Sequence, residues 1–249
     1  MAQWREVATH PLRFYTPRLA AHAEVRLDRT ESHHIRHVLR LGPGDEITLF
    51  DGTGRECRAR ILACTRDEVL VETAEIIAVD REAALSLTLA VAMPRGKRAD
   101  LILEKCTELG VHAFIPVICR HSVADPRVRA AGRHEKWRRL TIEACKQCGR
   151  NRLPLLDLPL HFEEAVRRAE YHLRLLATPA PDATPLRGVI SECVPGETII
   201  ALIGPEGGFT PEEEAQARVA GWMPISLGPR RLRVETAAIA LAAAVATAL

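Results

Sequence analysis

The sequence predicts an α/β protein, a small β-rich domain followed by a mostly parallel sheet with helices on both faces. Three observations carry that reading. Up to about residue 78, short runs alternate apolar with polar residues between Gly and Asp turns, the period of half-buried strands. From Ser86 the rhythm changes to apolar runs separated by helix-length stretches, the pattern of parallel strands and their crossover helices. Two of the late apolar runs, in 200–208 and 225–237, break in glycine.

The elements follow in order. LRFY, EITLFDGTG, ECRARILACT and VLVETAEII are the strands of the first domain. A short helix near ESHHIRHVLR interrupts them, with Ser32 as its expected N-cap and Leu41-Gly42-Pro43-Gly44 as its stop. The boundary falls in AVDREAA, 78 to 84, and divides the chain into domains 1–80 and 81–249. Beyond it come LTLAVA, the helix KRADLILEKCTELG, AFIPVI, a basic helix near 133–148, HLRLLAT, TIIALIG, a helix from about 211, ISLG and the terminal helix ETAAIALAAAVATAL. That last helix has little polar face, so it is expected in the core or against another subunit, which favours a dimer.

At 249 residues, 47% hydrophobic and 27% charged, the chain can bury a core. No run of 18 uncharged apolar residues occurs, and MAQWREVATHPLRFY lacks the apolar region of a signal peptide. A cytoplasmic location without membrane association is expected. Seven scattered cysteines, an odd number, argue against a disulfide framework. Cys145-Lys146-Gln147-Cys148 falls inside a helical pattern with no second such pair, and reads as small semi-buried helix residues rather than as half a zinc site or a redox pair. No His/Cys/Asp spacing suggests a metal, and none is expected.

Net charge is only +2, yet the first 40 residues hold seven arginines against four acids, and residues 125–140 hold six Lys/Arg against two acids. Clustered cations gain from counterion release at phosphates. A nucleic-acid partner is therefore weighed against a solvated, arginine-rich surface.

In an open α/β sheet, ligands sit outside the carboxyl ends of the strands, so IALIG-PEGG and ISLG-PRRLRVETA on neighbouring strands would form one pocket. A glycine loop before a helix often holds a phosphate. Here there is no GxxxxGK[ST] and no GxGxxG, and Glu206 with Glu212, Glu213 and Glu214 would repel one. Thr210 and Pro211 instead read as N-cap and first helical residue, with the three acids answering the helix dipole. A neutral or cationic ligand fits better.

LIGPEGGFTPEE followed by SLGPRRLRVETAAIA resembles the two C-terminal motifs of the SPOUT superfamily of S-adenosylmethionine-dependent RNA methyltransferases. More narrowly the chain resembles the RsmE family, which methylates nitrogen 3 of a uridine in 16S ribosomal RNA of the small subunit. SHHIRHVLRLGPGDEITLFDGTG resembles that family's N-terminal PUA-like RNA-binding domain, and KRADLILEKCTELGV with EACKQCGR the opening of its catalytic domain. The resemblance implies a PUA-like β-barrel, then a SPOUT-type parallel sheet with a C-terminal trefoil knot. General folding rules argue against knots, so this rests on the family alone. It also implies a homodimer whose active site is completed across the interface, S-adenosylmethionine as cofactor, and 16S rRNA or the small ribosomal subunit as partner.

Carried over by position, Leu202, Gly204, Glu206, Gly207 and Gly208 would line the cofactor, Leu227, Gly228 and Leu232 would form the other wall, and Thr178 would join them. Any single glycine has an equal account as a turn residue; the set does not. Methylating nitrogen 3 requires removal of its proton and stabilisation of the uracil anion. Arg233 is the candidate cation, and Glu235 either the proton acceptor or a cap of the last helix. Arg231 and Val234 depart from the residues usual in the family, as does Cys148. For RNA docking the candidates are His34, Arg36, Arg40, Arg98 and Arg150, each with a reading as a surface or capping residue. The alternative function is a non-catalytic RNA-binding or ribosome-assembly protein on the same scaffold; a nucleotide-phosphate enzyme is disfavoured by the missing lysine and by Glu206.

Overall fold

The computed structural model describes residues 12–123 and 130–248. Residues 1–11 and residues 125–129 of the basic stretch lie outside the described residues. The chain divides into two compact units, one of residues up to 81 together with 145–153, the other of 82–144 and 154–249.

In the first unit, β1 (Arg13–Tyr15), β2 (Glu24–Arg26), β3 (Glu46–Phe50), β4 (Arg55–Cys64) and β5 (Val69–Ala78) form a sheet in the order β1-β3-β4-β5-β2. All pairings are antiparallel except β1 with β3. Alternate residues point inward, so Leu49, Cys57, Ala59, Ile61, Val69 and Val71 share one core with Phe14, Val25 and Ile35. Burying a side chain such as Ile61 fully stabilises by about 1.5–3 kcal/mol.

Helix α1 (Arg29–His33) runs into a π-helical turn, His34–Val38. Its N-cap is Asp28, whose carboxylate accepts from the Glu31 N–H at 2.8 Å, and not the expected Ser32. Ser32 is buried inside the helix, where its hydroxyl donates to the Leu27 carbonyl and accepts from the Val69 N–H. A buried hydroxyl must find such partners. The CKQC stretch also finds its explanation here. Between the two free cysteines, Lys146 buries its ammonium 2.9 Å from Glu31 Oε2 and 3.3 Å from His34 Nδ1.

The second unit contains β6 (Ser86–Val91), α2 (Lys97–Glu108), β7 (Ala113–Ile118), α3 (Ala130–Cys148) except its last four residues, which count with the first, β8 (Leu155–Leu156), β9 (Leu160–His161), α4 (Phe162–Val166), β10 (Leu173–Ala177), β11 (Thr184–Pro185), α5 (Leu186–Ile190), β12 (Thr198–Ile203), α6 (Pro211–Val219), β13 (Met223–Ser226) and α7 (Val234–Ala246). Its strands are ordered β11-β13-β10-β12-β6-β7-β8, with β9 added to β7, and every pairing is parallel. Parallel strands are covered on both faces, which explains the uninterrupted apolar runs of β6 and β12. Alternation sends Ile199, Ala201 and Ile203 to the face packed by α2 and α7, and Ile200 and Leu202 to the face with Phe162 and Trp222. The apolar α7 buries Val234, Ala237, Ala238, Leu241, Ala242 and Val245, as its lack of a polar stripe requires. Among the described residues, no helix is long and apolar enough to cross a membrane.

Candidate functional site

The carboxyl ends of β10, β12 and β13 are neighbours in the parallel sheet. The segments that leave them enclose a cleft of about 320 Å³. Its walls are Thr178 and Pro179 after β10, Gly204 to Phe209 after β12, and Ser226 to Gly228 with Arg230 to Leu232 after β13. Glu214 of α6 and Val234 and Ala237 of α7 complete it. The two glycine-broken runs thus meet in one place, as their position at strand ends demands.

The glycine loop is tight for steric reasons. A Cβ at Gly204 would stand 3.0 Å from the Phe209 ring, and one at Gly207 would stand 3.1 Å from the Cβ of His121. Gly208 has φ +73°, a conformation costly for any other residue, and its N–H donates to the Pro205 carbonyl at 2.9 Å. The loop ends in a capping box: Thr210 Oγ1 accepts from Glu213 N, and Glu213 Oε2 accepts from Thr210 N at 2.8 Å. Pro211 occupies the first turn, where its missing N–H costs nothing.

The charges are arranged around this frame. Arg98 Nη1 lies 2.7 Å from Glu206 Oε1. Thr178 Oγ1 donates to Glu214 Oε1 at 2.9 Å and accepts from the Ala180 N–H. The Glu212 carboxyl lies below its ordinary value, through backbone hydrogen bonding, the Thr210 hydroxyl and the charge of Arg120. Arg230 and Arg231 are exposed on the opposite wall. At the start of α7, Arg233 is the exposed N-cap residue and makes no side-chain cap bond. Glu235, in the first turn, is 7% exposed, and its Oε2 is buried without a hydrogen-bond partner.

Of the expected cofactor residues, Thr178, Gly204, Glu206, Gly207, Gly208, Leu227, Gly228 and Leu232 line the cleft. Leu202 is a correction. Its side chain is 0% exposed on the opposite face of β12, and the period of two hands its place to Ile203. The sequence reading also missed Phe209, Glu214 and Arg230. Glu214 carried a signal, because Glu213 turns back to cap the helix and leaves the next carboxylate to face elsewhere. Arg233 and Glu235 flank the lining residue Val234 without lining the cleft themselves.

The expected RNA residues divide between the units. In the first, Arg36 donates to the carbonyls of Thr65 and Arg66, while Arg40 is exposed at a positive φ of 57°. His34 is half-buried and accepts from the Lys146 ammonium through Nδ1, so it does not stand free as a cation. Arg150 is 4% exposed, and a guanidinium so enclosed does not fit a docking role. In the second unit, Arg98 is held by Glu206. Among the described residues, no group of three His, Cys, Asp or Glu side chains is placed to hold a metal ion.

Comparison with known proteins gives consistent matches. Residues 81–246 match the model of a family described as an RNA methyltransferase domain, and residues 27–74 that of an RNA methyltransferase PUA domain. The ribosomal RNA small subunit methyltransferase E of Synechocystis is 33% identical over 225 residues, covering 89% of this chain and 72% of that protein. Its counterpart from Bacillus subtilis is 29% identical, with 83% of each covered. A crystal structure of the Neisseria gonorrhoeae ribosomal RNA small subunit methyltransferase E, bound to S-adenosyl methionine, superposes with a TM-score of 0.84 at 34% identity, covering 94% of this chain and 96% of that one.

Proposed function

The chain belongs to the ribosomal RNA small subunit methyltransferase E family, and from that premise we propose that it transfers a methyl group from S-adenosylmethionine to nitrogen 3 of a uridine in 16S ribosomal RNA. The observation that carries the cofactor reading is a cleft walled by bare peptide groups between carboxylates. A side chain at Gly204 would press on the Phe209 ring and one at Gly207 on His121, so this part of the wall is bare backbone, whose N–H and C=O groups suit an adenine and an amino acid. Glu206 and Glu214 line one side and Arg230 and Arg231 the other, which suits a ligand carrying both signs of charge. The relative from Neisseria gonorrhoeae holds S-adenosyl methionine.

When bound, S-adenosylmethionine supplies a methyl group on a positively charged sulfur. The residues of the chain supply the rest. Uracil nitrogen 3 is a poor nucleophile until its proton leaves, and the anion then needs a cation beside it. Glu235 keeps two readings, the proton acceptor or a structural carboxylate at the start of α7: its Oε2 is buried without a partner, and reaching the base requires the start of α7 to open towards the cleft. Arg233, exposed two residues earlier as the N-cap, stabilises the negative charge on the uracil oxygens, and the N-terminal end of α7 adds its dipole. Residues 1–80 act as the PUA-like domain that grips RNA, with Arg36 and Arg40 among its contacts, and Arg98 adds one from the second unit. Residues 81–249 form the catalytic domain, and the return of the chain through β13 to α7 is the trefoil knot of the family.

The working form is a cytoplasmic homodimer. A groove between α5 and α7, lined by Leu186, Ile190, Ala240 and Ala244, supports that reading as a place for a second copy. The test is methyl transfer from labelled S-adenosylmethionine to small ribosomal subunits that lack the modification, followed by digestion and mass spectrometry. A single 3-methyluridine is expected. No label with cofactor binding intact would reject the RNA target. Loss of both would favour the non-catalytic RNA-binding or ribosome-assembly protein.

A further inference from the structure

We infer that His121 is a positioning residue for the glycine loop, and through it for the cofactor that the preceding reading places there. The turn Cys119 to Ser122, which follows β7, supports the loop and the cap of α6 at three points. The Arg120 N–H donates to Glu213 Oε1 at 2.8 Å. His121 Nδ1 lies 3.2 Å from the Gly208 carbonyl oxygen. The Cβ of His121 occupies the space that a side chain at Gly207 would need.

The chemistry of these contacts has one direction. A carbonyl oxygen only accepts, so Nδ1 carries the proton and the ring donates. Glu213 uses its other oxygen on the Thr210 N–H, so the helix cap and the turn share a single carboxylate. The turn is itself closed by the Cys119 N–H donating to Ser122 Oγ at 2.9 Å and the Ser122 N–H donating to the Cys119 carbonyl at 3.0 Å. It is a second support for a loop whose own closure is the Gly208 N–H donating to the Pro205 carbonyl. Gly207 and Gly208 carry no side chains, and glycine has the widest conformational freedom in the unfolded and loosened states. The backbone groups offered to a ligand stay in place because something outside the loop holds the Gly208 carbonyl, and that is His121.

The first test needs no ligand. Hydrogen exchange of the segment 204–210 is compared in the wild type, His121→Ala and His121→Asn, all checked for native circular dichroism. Loss of one hydrogen bond at this exposed place raises exchange about five-fold in His121→Ala, while His121→Asn, whose amide nitrogen stands where Nδ1 does, keeps the wild-type rate. Unchanged exchange in His121→Ala, or equal loss in both variants, overturns the proposal. The second test is turnover: His121→Ala raises the KM for S-adenosylmethionine about five-fold with kcat within two-fold, and His121→Asn restores it. A fall in kcat alone overturns the positioning role. A wild-type chain that binds no S-adenosylmethionine by calorimetry overturns the reading of the cleft and the cofactor half of this inference, and the exchange result separately decides whether His121 holds the loop.

Discussion

Arg98 Nη1 and Glu206 Oε1 stand 2.7 Å apart and join the first turn of α2 to the glycine loop after β12. The side chains are 43% and 33% exposed, so the pair contributes only about 0–1 kcal/mol to stability. Its consequence is placement, a cation kept beside the carboxylate at the rim of the cleft. Arg98→Ala is expected to leave the urea midpoint nearly unchanged and to keep or tighten binding of S-adenosylmethionine, because Glu206 loses its counter-charge. RNA binding weakens and its salt dependence flattens by about one charge. Calorimetry and salt-dependent filter binding measure these, and a salt slope like that of the wild type would place the RNA elsewhere.

Arg233 is exposed and makes no capping bond, so its side chain contributes little to folding. Arg233→Ala is expected to keep the wild-type unfolding midpoint and cofactor affinity while kcat falls about 10²–10³-fold, the size of losing one group aimed at developing charge. Normal single-turnover rates would remove Arg233 from the mechanism.

Glu235 combines burial with an unpartnered oxygen, a costly state for a carboxylate. Glu235→Gln relieves that cost, so the variant is expected to be as stable as the wild type or more so, by about 1 kcal/mol. Methyl transfer falls about 10²-fold or more if the group takes the proton. A destabilised variant with full activity would show a structural role instead.

In the first unit, burial alone would raise the Glu56 carboxyl, but hydrogen bonds from Arg81, Arg13 and Asn151 outweigh it and hold the group at about 2, against an ordinary 4.5. A depressed carboxylate stabilises the folded state fully above its unfolded value. That contribution is then lost as pH falls from about 4.5 towards about 2. Urea midpoints across this window should fall in the wild type and much less in Glu56→Gln, which starts lower at neutral pH. Parallel slopes for the two proteins would reject the assignment.

Much of the site can be read in the linear sequence because its determinants are local. Thr210, Pro211 and Glu213 are adjacent and form the cap that their types predict. The glycine loops follow apolar strands, and parallel pairing brings such ends together without further information. The failures come from long-range geometry. Nothing in the run IIALIG says which of Leu202 and Ile203 faces the cleft until the helices on each face are known. Arg150 reads as a surface charge until the packing of residues 145–153 with the β-rich unit encloses it. His121 lies 87 residues from the carbonyl it holds, and no local pattern announces that contact.

β13 is inserted between β10 and β11, and the cleft's last wall, residues 226–237, follows it in the chain. Chains leave the ribosome from the N-terminus. Every strand up to β12 therefore emerges while one side of the cleft is still missing. A translation product that stops before β13 has the glycine loop and no opposing wall. The cleft is therefore closed in one late step, by the segment that ends in the last helix.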